Sequence, residues 1–361
     1  MTTPAMPAVH RPSGFVTRPP AAAVLVVMVL LLLFVTILAA VIGSAGIPLH
    51  RIAAAFGLTA SDPAHAGRDQ IILWSVRLPR IAMAAMVGGL LAASGTIMQG
   101  LFRNPLADPA LVGVSGGAAL AAAATIVVAD KFAEAHILTI PFEVLPVMAL
   151  LGALIATATL YRLATREGKT SIAVFLLGGL AIAALANAAI GLLVFLADDR
   201  QLRDITFWML GSLSGATWSK AATVLPFFLA TVLALPFIAR GLDLLVLGEA
   251  EAFHSGIPVE RLKKFCIVLI AAAVGAAVSV SGVIGFVGIV VPHLLRIIIG
   301  PGHRMLLPAS IILGAALMVG ADILARMLAA PAELPIGIVT AVVGAPFFLA
   351  LLLRQRMLTG P

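Results

Sequence analysis

Residues 21–43 read AAAVLVVMVLLLLFVTILAAVIG, without one charged side chain, and this run limits the fold more than any other feature of the chain. An α-helix rises about 1.5 Å per residue, so such a stretch reaches across a hydrocarbon core about 30 Å thick. Apolar runs recur at about 81–101, 110–129, 144–163, 171–196, 221–240, 265–281, 284–299, 306–328 and 336–353, which makes ten with the first. In lipid every backbone N–H and C=O needs a partner within a helix or a closed barrel, and the alternating pattern of barrel strands is missing here. Only 11% of the 361 residues are charged, where a water-soluble chain carries about 25%. The fold expected is an all-α integral membrane protein with ten transmembrane helices over 21–353 and tails at 1–20 and 354–361. A cleaved signal peptide is the competing reading of the first run. Its apolar core exceeds the ~7–15 residues of a signal, which favours a retained helix.

Ten crossings put both termini on one side, and charge says which. Take the N-terminus, 102–109, 164–170, 241–264, 296–305 and the C-terminus as one face. With the helix ends that adjoin it, this face carries 14 of the 23 Lys and Arg and 6 of the 16 acids, and the opposite face carries 9 and 10. The basic face is cytoplasmic by the positive-inside rule, so both termini are expected there. The pI near 10.5 is then mostly a topology signal, and no nucleic-acid partner is expected. The single Cys266 excludes an internal disulfide framework and a multi-cysteine metal site.

Several function classes drop out. No GxxxxGK[ST] is present to cradle a nucleotide, so ATP-driven work needs a partner chain. No HExxH or comparable set supports an intramembrane enzyme. An ion-coupled secondary transporter is the alternative from another class. Such carriers keep acids within their spans, and here the acids gather in loops and at helix ends, with Asp322 the nearest exception. The longest loop, around 44–76, is too short for a soluble domain.

Local chemistry marks a few positions. The run 265–295 is too long for one helix, and SVSGVIGFVG with Gly282, Gly285 and Gly288 supplies a break, read as a tight hairpin or a broken helix buried in protein. RLPR at 77–80 sets Arg77 and Arg80 at the outer end of the second span, and Arg326 lies at the outer end of the ninth. Snorkelling explains any one of them, but three on the outer face oppose the positive-inside trend. RNPLADP, Arg103 to Pro109, reads as a rigid cytoplasmic turn in which Asp108 can cap the next helix. In 241–264, Gly248 opens a short segment, Ser255–Gly256 breaks it and Pro258 starts a second helix; its apolar residues need a partner surface. Thr170 and Ser171 suit a helix cap. Asp322 and Arg326, four apart, share a face and can pair. His254 reads as a surface residue and His293 as a hydrogen-bonded structural histidine, so no metal site is expected. Gly89 and Ala93 fit the small-xxx-small pattern of close helix packing.

From about Arg77 onward the chain resembles the iron-complex, heme and vitamin B12 importer permeases of bacterial ABC transporters. The resemblance rests on RLPR, SGTIMQGLFRNPLADPALVGVSGGA at 94–118, FWMLGSLSGATW at 207–218 and LGEAEAFHSGIPVERLKK at 247–264. It continues through SGVIGFVGIVVPHLLR at 281–296, GPGHRMLLP at 300–308 and ADILARMLAAPAELPIG at 321–337. It implies the type II ABC importer architecture: ten helices per subunit, and a homodimer with the pathway on its two-fold axis. Two cytosolic ABC ATPase subunits would bind ATP and Mg, with no cofactor on this chain, and a periplasmic substrate-binding protein would deliver the cargo across the inner membrane. By the same resemblance Arg77, Arg80 and Arg326 grip carboxylates of the binding protein, and Thr170 and Ser171 form a cytoplasmic gate across the dimer axis. Gly248, Glu249, Ala252, Ser255, Gly256, Ile257, Pro258 and Arg261 belong to the coupling helices that seat in the ATPase. The likeness is greatest to heme permeases, with ferric-siderophore or vitamin B12 transport as alternatives.

Overall fold

The computed structural model describes residues 19–43, 47–59, 65–109, 113–134 and 144–358. Most of the tail at 1–20, and residues 110–112 that Asp108 was expected to cap, lie outside them. The helices are α1 (Ala21–Val41), α2 (Leu49–Ala55), α3 (Ala66–Ile71), a π-helical turn (Ile72–Arg77), α4 (Leu78–Leu101), α5 (Val114–Glu134) and α6 (Val144–Ala164). A two-residue-per-strand hairpin, β1 (Thr165–Arg166) and β2 (Lys169–Thr170), leads to α7 (Ile172–Leu196) and α8 (Asp199–Leu210). Then come α9 (Trp218–Leu247), α10 (Glu249–His254), α11 (Val259–Ser281), α12 (Val287–Ile299), α13 (His303–Leu328) and α14 (Ile336–Leu358).

Seven helices among the described residues are long and apolar enough to cross a membrane, and three shorter apolar helices lie at Val114–Ala129, Val287–Ile299 and Ile336–Ala350. Large apolar side chains stand exposed along α1 (Val27, Phe34), α7 (Leu177, Leu185) and α9 (Leu233, Phe237). A continuous apolar exterior of this kind suits lipid or a partner chain and not water.

At the centre stands α4, buried on almost every side from Pro79 to Leu101. It packs on α13, α9, α11 and α12, while α5, α6 and α7 form a second group joined to it through α11. Small residues set the spacing. A Cβ on Gly88 would meet the carbonyl of Gly314 and come within 2.5 Å of Met318 Cβ, and one on Gly314 would lie 2.5 Å from Ala92 Cβ. The tightest small-xxx-small pair is therefore Gly88 and Ala92 facing α13, one residue from the expected Gly89 and Ala93. Gly89 instead faces Ile311 and Phe228.

Three regions add to the expectations. The described residues of 44–76 are largely helical: α3, the π turn and α4 run unbroken from Ala66 to Leu101, and Arg51 of α2 holds Asp69 of α3 through bonds of 2.6 and 2.7 Å. The turn expected at RNPLADP is present, and part of it is enclosed by protein. Asn104 Oδ1 accepts from the Leu106 N–H at 2.9 Å across Pro105, but Ala107 is buried and Pro109 lies against Gly288. Gly113 then abuts Gly179 and Ile182 of α7, about 10–15 Å along that helix, so α5 begins within the bundle. Third, α9 extends to Leu247 and α14 to Leu358, so the loop and tail drawn at 241 and 354 start as helix.

The break within 265–295 falls at 282–286, with positive φ at Gly282 (69°) and Phe286 (69°). No tight hairpin results: α12 leaves α11 to pack on α4, α13 and α14. Its first turn is sunk in protein, where Gly288 touches Gly95 and Gln99 donates to the Gly288 carbonyl at 3.1 Å. Irregular backbone is tolerated at membrane depth because protein encloses it.

Candidate functional site

The three arginines of the outer cluster converge on one knot where α1 ends, α4 begins and α13 ends. Arg80 Nε donates to Asp322 Oδ1 at 2.8 Å, and Arg80 Nη1 reaches both oxygens of Glu333 at 3.0 Å. From α13, Arg326 Nε lies 3.1 Å from Asp322 Oδ2, so the pairing expected from the four-residue spacing is present. Arg77 donates to the carbonyls of Ala40 and Val41, and Arg326 to that of Ile42 at 3.1 Å. The last carbonyls of a helix have no partner within it and carry the negative end of its dipole. No basic residue lies in the last turn of α1, so Arg77 at the end of the π turn and Arg326 of α13 supply the cap.

This corrects the picture of arginines with heads in open water. Arg77 and Arg80 are 5% and 7% exposed, and their guanidinium groups are occupied inside the chain. Desolvation makes a free buried guanidinium costly, so acids and carbonyls have gathered around it. The member that meets solvent is Glu333, whose side chain is 40% exposed.

A second site lies at the other end of the bundle. Ser171 caps α7, its Oγ accepting from Val174 N–H at 3.4 Å, and stands exposed. Thr170 beside it is buried and paired with Thr165 across the hairpin, hydroxyl to hydroxyl at 3.0 Å. The hairpin turns through Glu167 and Gly168, both at positive φ. Both backbone groups of Thr170 are held from α11: its N–H donates to Glu260 Oε2 at 3.0 Å, and its carbonyl accepts from Lys263 Nζ at 3.4 Å. Lys263, 3% exposed, also reaches Glu260 at 3.1 Å and Glu249 of α10 at 2.7 Å. The gate and coupling residues read from the sequence are thus brought together by a lysine and a glutamate that reading did not single out. Glu260 and Lys263 at i, i+3 carried a usable signal; their bond to Thr170, 90 or more positions away, carried none.

The segment 248–261 forms as expected. Gly248 opens α10 with φ 133°, Gly256 breaks the chain at φ 85°, and Pro258 is the N-cap of α11. Ser255, Gly256, Pro258 and Arg261 face outward and Gly248, Glu249 and Ile257 are half-buried. Ala252 is fully buried against its own chain, which leaves it no surface to offer a partner. Phe253, 67% exposed, is the apolar side chain that α10 presents.

Histidines take structural places. His254 is exposed as expected. His293, expected to be hydrogen-bonded, packs edge-on to Phe347 with ring centroids 6.1 Å apart. The ring of His303 bonds Asp243 through Nδ1 at 2.8 Å and turns Nε2 onto Gly100, where a Cβ would leave no room. Among the described residues no group of three His, Cys, Asp or Glu could hold a metal ion.

Residues 31–354 match the FecCD transport family. The hemin transport system permease protein HmuU of Yersinia pestis is 47% identical over 292 residues, covering 79% of this chain and 84% of its own length. The cobalamin import system permease protein BtuC of Halobacterium salinarum is 42% identical over 287 residues, covering 80% and 74%. Among solved structures, an inward-facing conformation of a proposed metal-chelate type ABC transporter superposes with a TM-score of 0.80 at 31% identity, over 92% of this chain and 99% of that one.

Proposed function

The chain belongs to the FecCD transport family, and from that premise we propose that it is the permease subunit of an ATP-driven importer that moves heme, or a related iron complex, from periplasm to cytoplasm by alternating access. The family match over 31–354, from within α1 to within α14, carries this reading. The lean to heme rests on the 47% identity to a hemin permease. Vitamin B12 transport is the second reading, favoured by the 42% identity to a cobalamin permease.

In the working protein two copies of the chain pair about the pathway, and two cytosolic ATPase subunits, with ATP and Mg, seat against α10 and the start of α11. Each copy crosses the inner membrane ten times with both termini cytoplasmic, as the excess of basic residues on that face supports. Thr170 and Ser171 close the inner end. A periplasmic binding protein docks at the arginine knot, and the docked protein and the nucleotide state bias an outward or inward arrangement. Reconstitution with the ATPase and binding protein in liposomes tests the proposal. Heme is expected to accumulate only with ATP inside, and uptake driven by an ion gradient without the ATPase would overturn it. Cobalamin accumulating in place of heme would select the second reading.

Docking at the knot is an exchange, because Arg80 already holds Glu333. A carboxylate of the binding protein has to displace Glu333, whose partial exposure makes it the easiest member to release. Glu333→Gln removes the competing charge and is expected to tighten binding-protein docking about fivefold, the worth of a partly exposed ion pair. Weaker docking in a titration of binding protein against the reconstituted permease would mean that Glu333 itself makes the contact.

A further inference from the structure

We propose that Lys263 is the tie that carries movement of the ATPase-facing helix α10 to the gate at Thr170. The inference rests on the roles given above to α10 and to Thr170–Ser171. An ammonium has three N–H donors and no acceptor, and here the donors reach three elements: Thr170 of β2, Glu249 of α10 and Glu260 of α11. Glu260 completes a ring by accepting from the Thr170 N–H. The backbone of the gate residue is therefore held on both sides by one ion pair, and the cation of that pair is shared with α10.

The plain alternative is a surface ion cluster of little consequence. Two observations weigh against it. Lys263 is 3% exposed while Glu249 and Glu260 are 38% and 37% exposed at the side chain. The anions can move and be re-solvated, but the cation cannot leave, so it acts as the fixed pivot. In addition, both elements it joins are marginal alone. A hairpin with two residues per strand and a helix of six residues are each too short to hold their own position in water. Each takes its position in part from the same ammonium, so displacement of one is transmitted to the other.

Two substitutions test the tie in the assembled transporter. Glu249→Gln alters α10 and does not touch Thr170. It is nonetheless expected to speed amide exchange of Thr170 about tenfold, within the range of ordinary site-to-site coupling. Unchanged exchange at Thr170 would overturn the proposal whether or not the protein imports anything. Lys263→Met keeps the length of the stem, and the acids it leaves behind remain hydrated, so the chain is expected to fold. The number of molecules imported per ATP hydrolysed is expected to drop about tenfold. The double variant Lys263→Met/Glu249→Gln is expected to be no worse, since both changes cut one link. Import and hydrolysis falling in proportion, or additive losses in the double variant, would also overturn it. If Lys263→Met fails to assemble, Glu249→Gln decides alone. Faster exchange at Thr170 in a protein with no ATP-driven import would leave the tie standing and remove the transport reading instead.

Discussion

Asp322→Ala is expected to destabilise the protein by about 3–5 kcal/mol, the cost of removing one partner from a buried ion pair. Asp322 is 2% exposed and serves two guanidinium groups, Arg80 at 2.8 Å and Arg326 at 3.1 Å. Without it Arg80 keeps Glu333, and Arg326 keeps backbone carbonyls, that of residue 322 and those at the end of α1. Water cannot replace the lost charge unless the helix ends part. Glu333→Ala at the edge of the same knot is expected to cost under about 1 kcal/mol, because its solvated carboxylate contributes little. Asp322→Ala/Arg326→Ala should cost less than the two single changes summed, since the second removes a charge that the first left unpaired. Thermal unfolding in detergent, followed by tryptophan fluorescence, measures all of these. Equal losses for Asp322→Ala and Glu333→Ala would mean that water already reaches the knot.

Gly88→Ala is expected to cost about 1–3 kcal/mol, although it adds a single methyl group and raises helix propensity. That methyl falls on the carbonyl of Gly314 and within 2.5 Å of Met318 Cβ. The obstacle is backbone and the root of a side chain, so no rotamer change relieves it and α4 has to draw back from α13. Valine at the same site is expected to exceed 3 kcal/mol, the upper end for overpacking. Gly191→Ala on α7 is the matched control: nothing lies within 4 Å of its added Cβ, so propensity alone acts and stability is expected to rise by up to about 1 kcal/mol. The same unfolding measurement compares the two. A Gly88→Ala protein as stable as wild type would show that α4 and α13 do not rely on this approach.

Legibility of the fold followed the range of the physics. Apolar runs are a local property, and the membrane-length helices fell close to them. The turn chemistry of 248–258 was equally local, with Gly248, Gly256 and Pro258 marking the bounds of α10 and the start of α11. The region before Arg77 was hidden because AGRDQIILWSVR mixes polar and apolar residues, and its continuation into α4 depends on packing and on the Arg51–Asp69 bond. The break before α12 was visible in its glycines, but the second left-handed residue is Phe286 and not Gly285. A phenylalanine gives no local sign of that conformation. It is seated against Gly344, where a Cβ would collide with it.

The candidate sites divide in the same way. Asp322 and Arg326 lie one turn apart and announced each other. Arg80 and Glu333 are 253 positions apart, and the carbonyls that hold Arg77 and Arg326 belong to the backbone, which leaves no trace in side-chain identity. The engagement of Arg77 and Arg80 within the fold was therefore not legible, while that of Arg326 with Asp322 was. Ala252 shows the same limit: a small residue on a short helix gave no clue that it faces inward.

The cap on α1 has a consequence for how the chain is made. α1 leaves the ribosome long before α13, and Arg326, which takes the carbonyl of Ile42, follows that residue by 284 positions. At a synthesis rate of about 5–20 residues per second, that interval is about 15–60 seconds. Through it, the carbonyl of Ile42 has to stay where headgroups or water can serve it. Arg77 can take the carbonyls of Ala40 and Val41 far sooner, so it is the Ile42 carbonyl that waits for α13. For this carbonyl the order of manufacture and the order of closure thus run opposite ways, and a helix inserted early is finished late.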